Sequence, residues 1–127
     1  MKQHEILPFY DEHRFHSGWA HLAALRVFLP ELFAARELHG CHYFTSHAVL
    51  CLSRFPTYEQ RHGKPLLSIY ATSSDMLQFE FVTFDEQPPT YRSFSERVVC
   101  PVALGLQHFD ALYSKFLNAH ARPTGDA

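Results

Sequence analysis

The sequence has no charge excess, no long apolar run and no reactive motif. Lys and Arg number 11 against 13 Asp and Glu, a formal net charge of −2. That balance excludes the broad basic footprint of a phosphate-backbone binder, so no nucleic-acid partner is expected. No apolar run approaches the roughly 18 residues that span a bilayer, so no membrane partner is expected either. The first ten residues carry Glu5 and Pro8 where a secretion signal would hold an unbroken apolar core. Repeats, low-complexity tracts and linkers are missing, as are GxGxxG, P-loop, HExxH, GxSxG and CxxC patterns. Paired acids for general acid–base work are also absent, the carboxylates lying mostly in turn-like segments such as Asp75, Asp85 and Glu86.

The three cysteines, Cys41, Cys51 and Cys100, form an odd set. Without a leader they point to three unpaired thiols in a reducing, cytoplasmic setting. On a single extended strand Cys41 and Cys51 would stand about 33 Å apart, far beyond disulfide reach. Cys41 is also poorly placed as a nucleophile: neighbouring His42 faces the other side of a strand, and His47 on the same face lies about 20 Å away.

What is abundant is aromatic and imidazole. Twelve Phe, six Tyr and one Trp sit in 127 residues, and each ring removes roughly 150–250 Å² from water when buried, so a dense core is easily built. Ten His make the charge a function of pH: the net value moves from −2 to roughly +7 at pH 5.5 if all are exposed.

The order of elements follows from periodicity. Phe15, Trp19, Leu22, Leu25 and Leu29 fall on one helical face. Pro30 breaks the bonding there, and Gly40 fits a helix cap. A kinked helix over about 12–39 is therefore expected, with residues 4–10 as an additional short strand. From Cys41 to Phe55 neither Gly nor Pro occurs and β-formers abound, which predicts one long strand. Residues 57–65 read as a loop. Residues 66–73 and 76–84 read as a hairpin, and 90–99 as a more polar strand near an edge. Leu106, Phe109, Leu112, Tyr113, Phe116 and Leu117 share one face of a final helix over about 103–120, with Gly105 weakening its first turn. The fold class is then α+β: a kinked N-terminal helix, a four-stranded antiparallel meander and a C-terminal amphipathic helix packed on one face of the sheet. Residues 1–120 form a single domain and 121–127 a flexible tail.

Three kinds of site are expected. His13-x2-His16-x4-His21 and His39-x2-His42-x4-His47 repeat one spacing. On a helix the outer two of the first trio splay by roughly 140°, and His42 and His47 face opposite sides of a strand. Only His13 with His16, or His39 with His42, suits a divalent ion such as zinc. No cofactor is otherwise called for. The three helical His share an outward face with Ala20 and Ala24, smooth enough for a partner. Arg26, inside the apolar stripe of the first helix, is either an anion-binding group or a structural tie to Glu80, Glu96 or Asp110.

The leading expectation is a small non-catalytic module that binds a protein partner, of the immunity, antitoxin, adaptor or chaperone kind, acting by occlusion or stabilisation. Homodimerisation is also compatible. Tyr58, Arg61 and His62 in the loop, with Tyr91 and Arg92 on the outer strand, are the candidate contact residues. The alternative is a ligand-binding or enzymatic pocket between helix and curved sheet, in a cystatin-like or NTF2-like architecture, lined by Trp19, Phe44, Phe79 and Phe81.

Overall fold

The computed structural model describes residues 1–13, 22–85 and 92–121. Expectations that fall on Phe15, His16, Trp19, Ala20, His21, Tyr91 and the tail beyond 121 lie outside the described residues. The chain is α+β. Two helices, α1 (Gln3–Glu12) and α2 (Ala23–Ala35), precede strands β1 (His42–Ser46) and β2 (Val49–Ser53). A four-residue helix α3 (Tyr58–Arg61) follows, then β3 (Leu66–Ala71), β4 (Met76–Asp85) and β5 (Arg92–Pro101). A 3-10 turn at Val102–Leu104 leads into α4 (Gly105–Ala121). All five strands pair antiparallel in the order β1-β2-β3-β4-β5, each with its neighbour in sequence.

Three expectations are corrected at the N-terminal side. Residues 4–10 are helical, not a strand. Lys2 caps the first turn through its backbone amide, which donates to Glu5 Oε1 at 3.3 Å. Of the helix anticipated over 12–39, the described part is α2, which ends at Ala35, so residues 36–39 are not helical. Pro30 sits inside α2 without ending it; its missing N–H removes one backbone bond, while Leu25, Phe28, Leu29 and Leu32 are buried around it. Ala24, expected on an outward face, is fully buried.

The fourth correction is the strand count. The expected single strand over 41–55 folds back on itself, with Ser46 opposite Val49 and His42 opposite Ser53. The turn is made by His47, the one described non-glycine residue with a positive φ, 56°. Histidine is among the residue types enriched in this conformation, although glycine is the usual one. The tip is anchored from above: Tyr10 Oη donates to the carbonyl of Ala48 at 2.9 Å.

Strand alternation then separates two faces. Leu50 and Leu52 of β2, Leu67, Ile69 and Ala71 of β3, and Leu77 and Phe79 of β4 turn inward and are fully buried. Over them lie α2 and α4. Phe79 meets Phe28 edge-to-face at 5.6 Å and Phe109 at 6.3 Å. The α4 face expected from periodicity is the one that packs, with Phe109, Leu112 and Phe116 buried. Ion pairs fasten its rim: Arg36 at the end of α2 holds Asp110 at 2.7 Å, and Lys115 holds Glu96 of β5 at 2.6 Å. On the opposite face the described residues include no helix except α3.

Candidate functional site

The helix-free face of the sheet begins at β1. Phe44, Cys51, Ser68, Glu80 and Arg97 form one outward row across the five strands, each opposite the next in register. Pro56 ends β2 and Thr57 caps α3, its Oγ1 accepting from the Gln60 amide at 3.2 Å. That cap lays α3 over the β1–β2 end of the row. The Arg61 guanidinium sits 3.7 Å above the centre of the Phe44 ring and 5.7 Å from that of Tyr58. At such distances the ring's negative face attracts the cation. Beneath, Cys51 and Ser53 are buried; Cys51 Sγ lies 3.8 Å from Ser68 Oγ. Burial pushes the Cys51 thiol up from its ordinary value, against smaller opposing effects of Ser68 and Arg61.

Beyond α3 the face is open. Tyr58 is 68% exposed, Val99 51% and Phe84 41%. His62 is exposed, its ring centre 6.4 Å from that of Tyr58. Between them Glu80 and Arg97 pair at 3.0 Å across β4 and β5. The structure therefore brings Tyr58, Arg61 and His62 together on one ridge. Arg92 opens β5 opposite Asp85, at the far end of the same sheet.

The remaining candidates scatter. His13 ends α1, its ring edge-on to Phe9 at 4.7 Å. His39 pairs with Glu37 at 2.9 Å, and His42 is exposed at the start of β1. Among the described residues no three His, Cys, Asp or Glu side chains gather around a point that would hold a metal ion. The expected aromatic pocket is corrected as well. Phe79 lies in the core against both helices, whereas Phe44 is on the other face under Arg61, so they cannot line one cavity. Cys41 immediately precedes β1, its Sγ 3.5 Å from Tyr113 Oη of α4. All three cysteines are free.

Arg26 does not make the structural tie that was one of its two expected roles. Glu80, Glu96 and Asp110 are taken by Arg97, Lys115 and Arg36. Arg26 instead borders a cleft between α1 and α2, lined by Leu7, Pro8, Tyr10, Asp11, Leu29 and Pro30. Sequence reasoning missed this cleft because it read α1 as extended, so the wall facing Arg26 was not there to be seen. No protein-family model, curated protein or solved structure matches the chain. Among the described residues no helix is long and apolar enough to cross a membrane.

Proposed function

We propose that the chain is a non-catalytic protein-binding module of the immunity, antitoxin or adaptor kind, and that its contact surface is the helix-free sheet face headed by α3. One observation carries this reading: Tyr58 stands 68% exposed beside an Arg61 already fixed over Phe44. Tyr and Arg are the residue types that concentrate binding energy at protein interfaces. An arginine whose side chain is ordered before contact loses less entropy on docking. The neighbouring Val99, Phe84 and the Glu80–Arg97 pair extend the ridge into a mixed apolar and charged surface of the kind interfaces use. The action is steric occlusion or stabilisation of the bound protein. Three unpaired thiols support a reducing, cytoplasmic setting.

A photo-crosslinking amino acid at position 58 tests the surface, with position 27 on the exposed side of α2 as control. In source cells, position 58 should yield one discrete adduct that Arg61→Ala removes, and position 27 should not. Identical adducts from both positions, or none from 58, refute the reading. An adduct with a second copy of the chain would assign the ridge to a homodimer.

A further inference from the structure

Strands β4 and β5 outrun the rest of the sheet. They pair along their full ten residues, from Met76 opposite Pro101 to Asp85 opposite Arg92. β3 reaches only as far as Val82, which stands opposite Leu66. Pro65, just before it, has no N–H to continue the ladder. Residues 83–85 and 92–94 therefore form a two-stranded arm with no third strand among the described residues. A lone two-stranded ribbon is at best marginally stable in water, whereas three or more strands hold. The arm also shows two large apolar side chains to solvent, Phe84 at 41% and Phe94 at 52% exposure. They lie on opposite faces, because Phe84 is opposite Ser93 and Phe94 is opposite Thr83.

The outer edge of β5 carries none of the usual guards. Edge strands are commonly blunted by brevity, proline, a bulge or outward charge. β5 runs ten residues in unbroken register, and its one proline, Pro101, is its last residue. Glu96 and Arg97 are tied back into the chain, to Lys115 at 2.6 Å and to Glu80 at 3.0 Å. Residues 93–97 are all exposed, and no other described strand pairs with this edge.

The order of residues along the edge points to its occupant. Two copies related by a two-fold axis normal to the sheet pair antiparallel, with residues directly opposite on the same face. Centred on Phe94, that pairing sets Phe94 against Phe94 of the second copy and Ser93 against Ser95. It also sets position 92 against position 96, where the sequence has Arg and Glu. Aromatic, hydroxyl and opposite-charge pairs are the cross-strand contacts that stabilise a sheet. Glu96 can serve both Lys115 and the second copy: its side chain is 47% exposed, and a carboxylate has about four lone-pair sites. Centring on Glu96 or Arg97 instead would set like charges face to face. We infer that the chain forms a two-fold dimer through β5, antiparallel about Phe94, which joins two sheets edge to edge and makes the two arms one four-stranded ribbon. The α3 ridge, at the β1–β2 end of the sheet, stays open in both copies.

Sedimentation equilibrium of the full chain at neutral pH tests it. A monomer–dimer equilibrium is expected. Phe94→Lys should weaken it about tenfold, through loss of the aromatic pair and a like-charge pair at the axis. Arg92→Glu and Glu96→Arg each turn two attractive pairs into repulsive ones and should weaken self-association by a similar factor. Mixed in equal amounts, these two variants should dimerise again, because one then presents two carboxylates to the two guanidiniums of the other. The rescue carries the test if Phe94→Lys does not fold. A chain that stays monomeric to millimolar concentration, a dimer indifferent to folded Phe94→Lys, no rescue between two folded charge variants, or a dimer lost on Arg61→Ala would each overturn the proposal.

Discussion

Gly105 offers a sharp test of how tightly the core is fitted. It is buried at the first position of α4, with φ −59° and ψ −49°, a conformation any residue adopts. By helix propensity alone, Gly105→Ala should stabilise by up to about 1 kcal/mol. The space argues the reverse. A Cβ placed there would lie 2.6 Å from both Cδ1 and Cε1 of Phe28 and 3.0 Å from Leu77 Cδ1. Carbon atoms rest at about 3.5–4.0 Å, so the ring must retreat by nearly an ångström. Phe28 is fully buried and braced edge-to-face on Phe79, which leaves it little room. Overpacking of this kind costs about 1–3 kcal/mol, so the net expectation is a loss of about 1–2 kcal/mol. For a chain of this length that lowers Tm by roughly 3–10 °C. Urea unfolding followed by circular dichroism should show a lower midpoint at an unchanged slope. Adding Phe28→Leu opens space for the new methyl, so the double variant should be more stable than the summed single effects by about 1 kcal/mol. A raised midpoint for Gly105→Ala would refute the reasoning, because it would mean the ring yields freely and propensity decides.

Other outcomes follow from single contacts. Tyr10→Phe removes the donor to the buried Ala48 carbonyl and should cost about 1–2 kcal/mol by the same urea assay, since the carbonyl is left unpaired; an unchanged midpoint would show that water replaces the hydroxyl. Cys51 and Cys100 are 3% and 2% exposed and burial raises both thiols, so iodoacetamide at pH 8 should modify half-buried Cys41 first. Labelling of Cys100 at the same rate by peptide mass mapping would contradict this. The Arg36 guanidinium, bonding Asp110 through Nε and Nη2, holds that carboxyl below its ordinary value of 3.8. A depressed folded-state value means the contribution is present above pH 4 and lost as the pH falls below it. Asp110→Asn should therefore lower the urea midpoint at pH 7 and converge on the parent chain near pH 2.5, by a modest margin because both groups are substantially exposed. Equal separation at both pH values would dissociate the pair from stability.

Periodicity made the second half of the chain legible. In β4, Leu77 and Phe79 alternate with Gln78 and Glu80, and the alternation matches the burial seen. In α4 the six apolar residues at helical spacing leave one stripe to bury. The polar strand expected near an edge is β5, which does end the sheet. What stayed hidden lacked a local marker. The β1–β2 turn uses His47 and Ala48, with neither glycine nor proline to announce it, so two five-residue strands read as one. In α1, Pro8 disguised a helix whose hold comes from tertiary contacts, Tyr10 on Ala48 and Tyr43 Oη on Gln3 Oε1 at 3.3 Å. The candidate surface was half legible. Tyr58, Arg61 and His62 stood out by composition, but Phe44 beneath Arg61 depends on the hidden turn. The cleft at Arg26 depends equally on the hidden helix.

The strict succession of strand pairings bears on how the chain assembles. Every sheet partner is the next strand along the chain, so each pairing closes a short loop at modest entropic cost. A growing polypeptide can therefore zip its hairpins in the order of synthesis. The lid arrives last: Phe109, Leu112 and Phe116 come from α4 alone. Until those residues leave the ribosome, Leu67, Ile69 and Phe79 have only α2 to shelter them, and a chain halted before Gly105 would offer chaperones, or its own siblings, a bare greasy sheet.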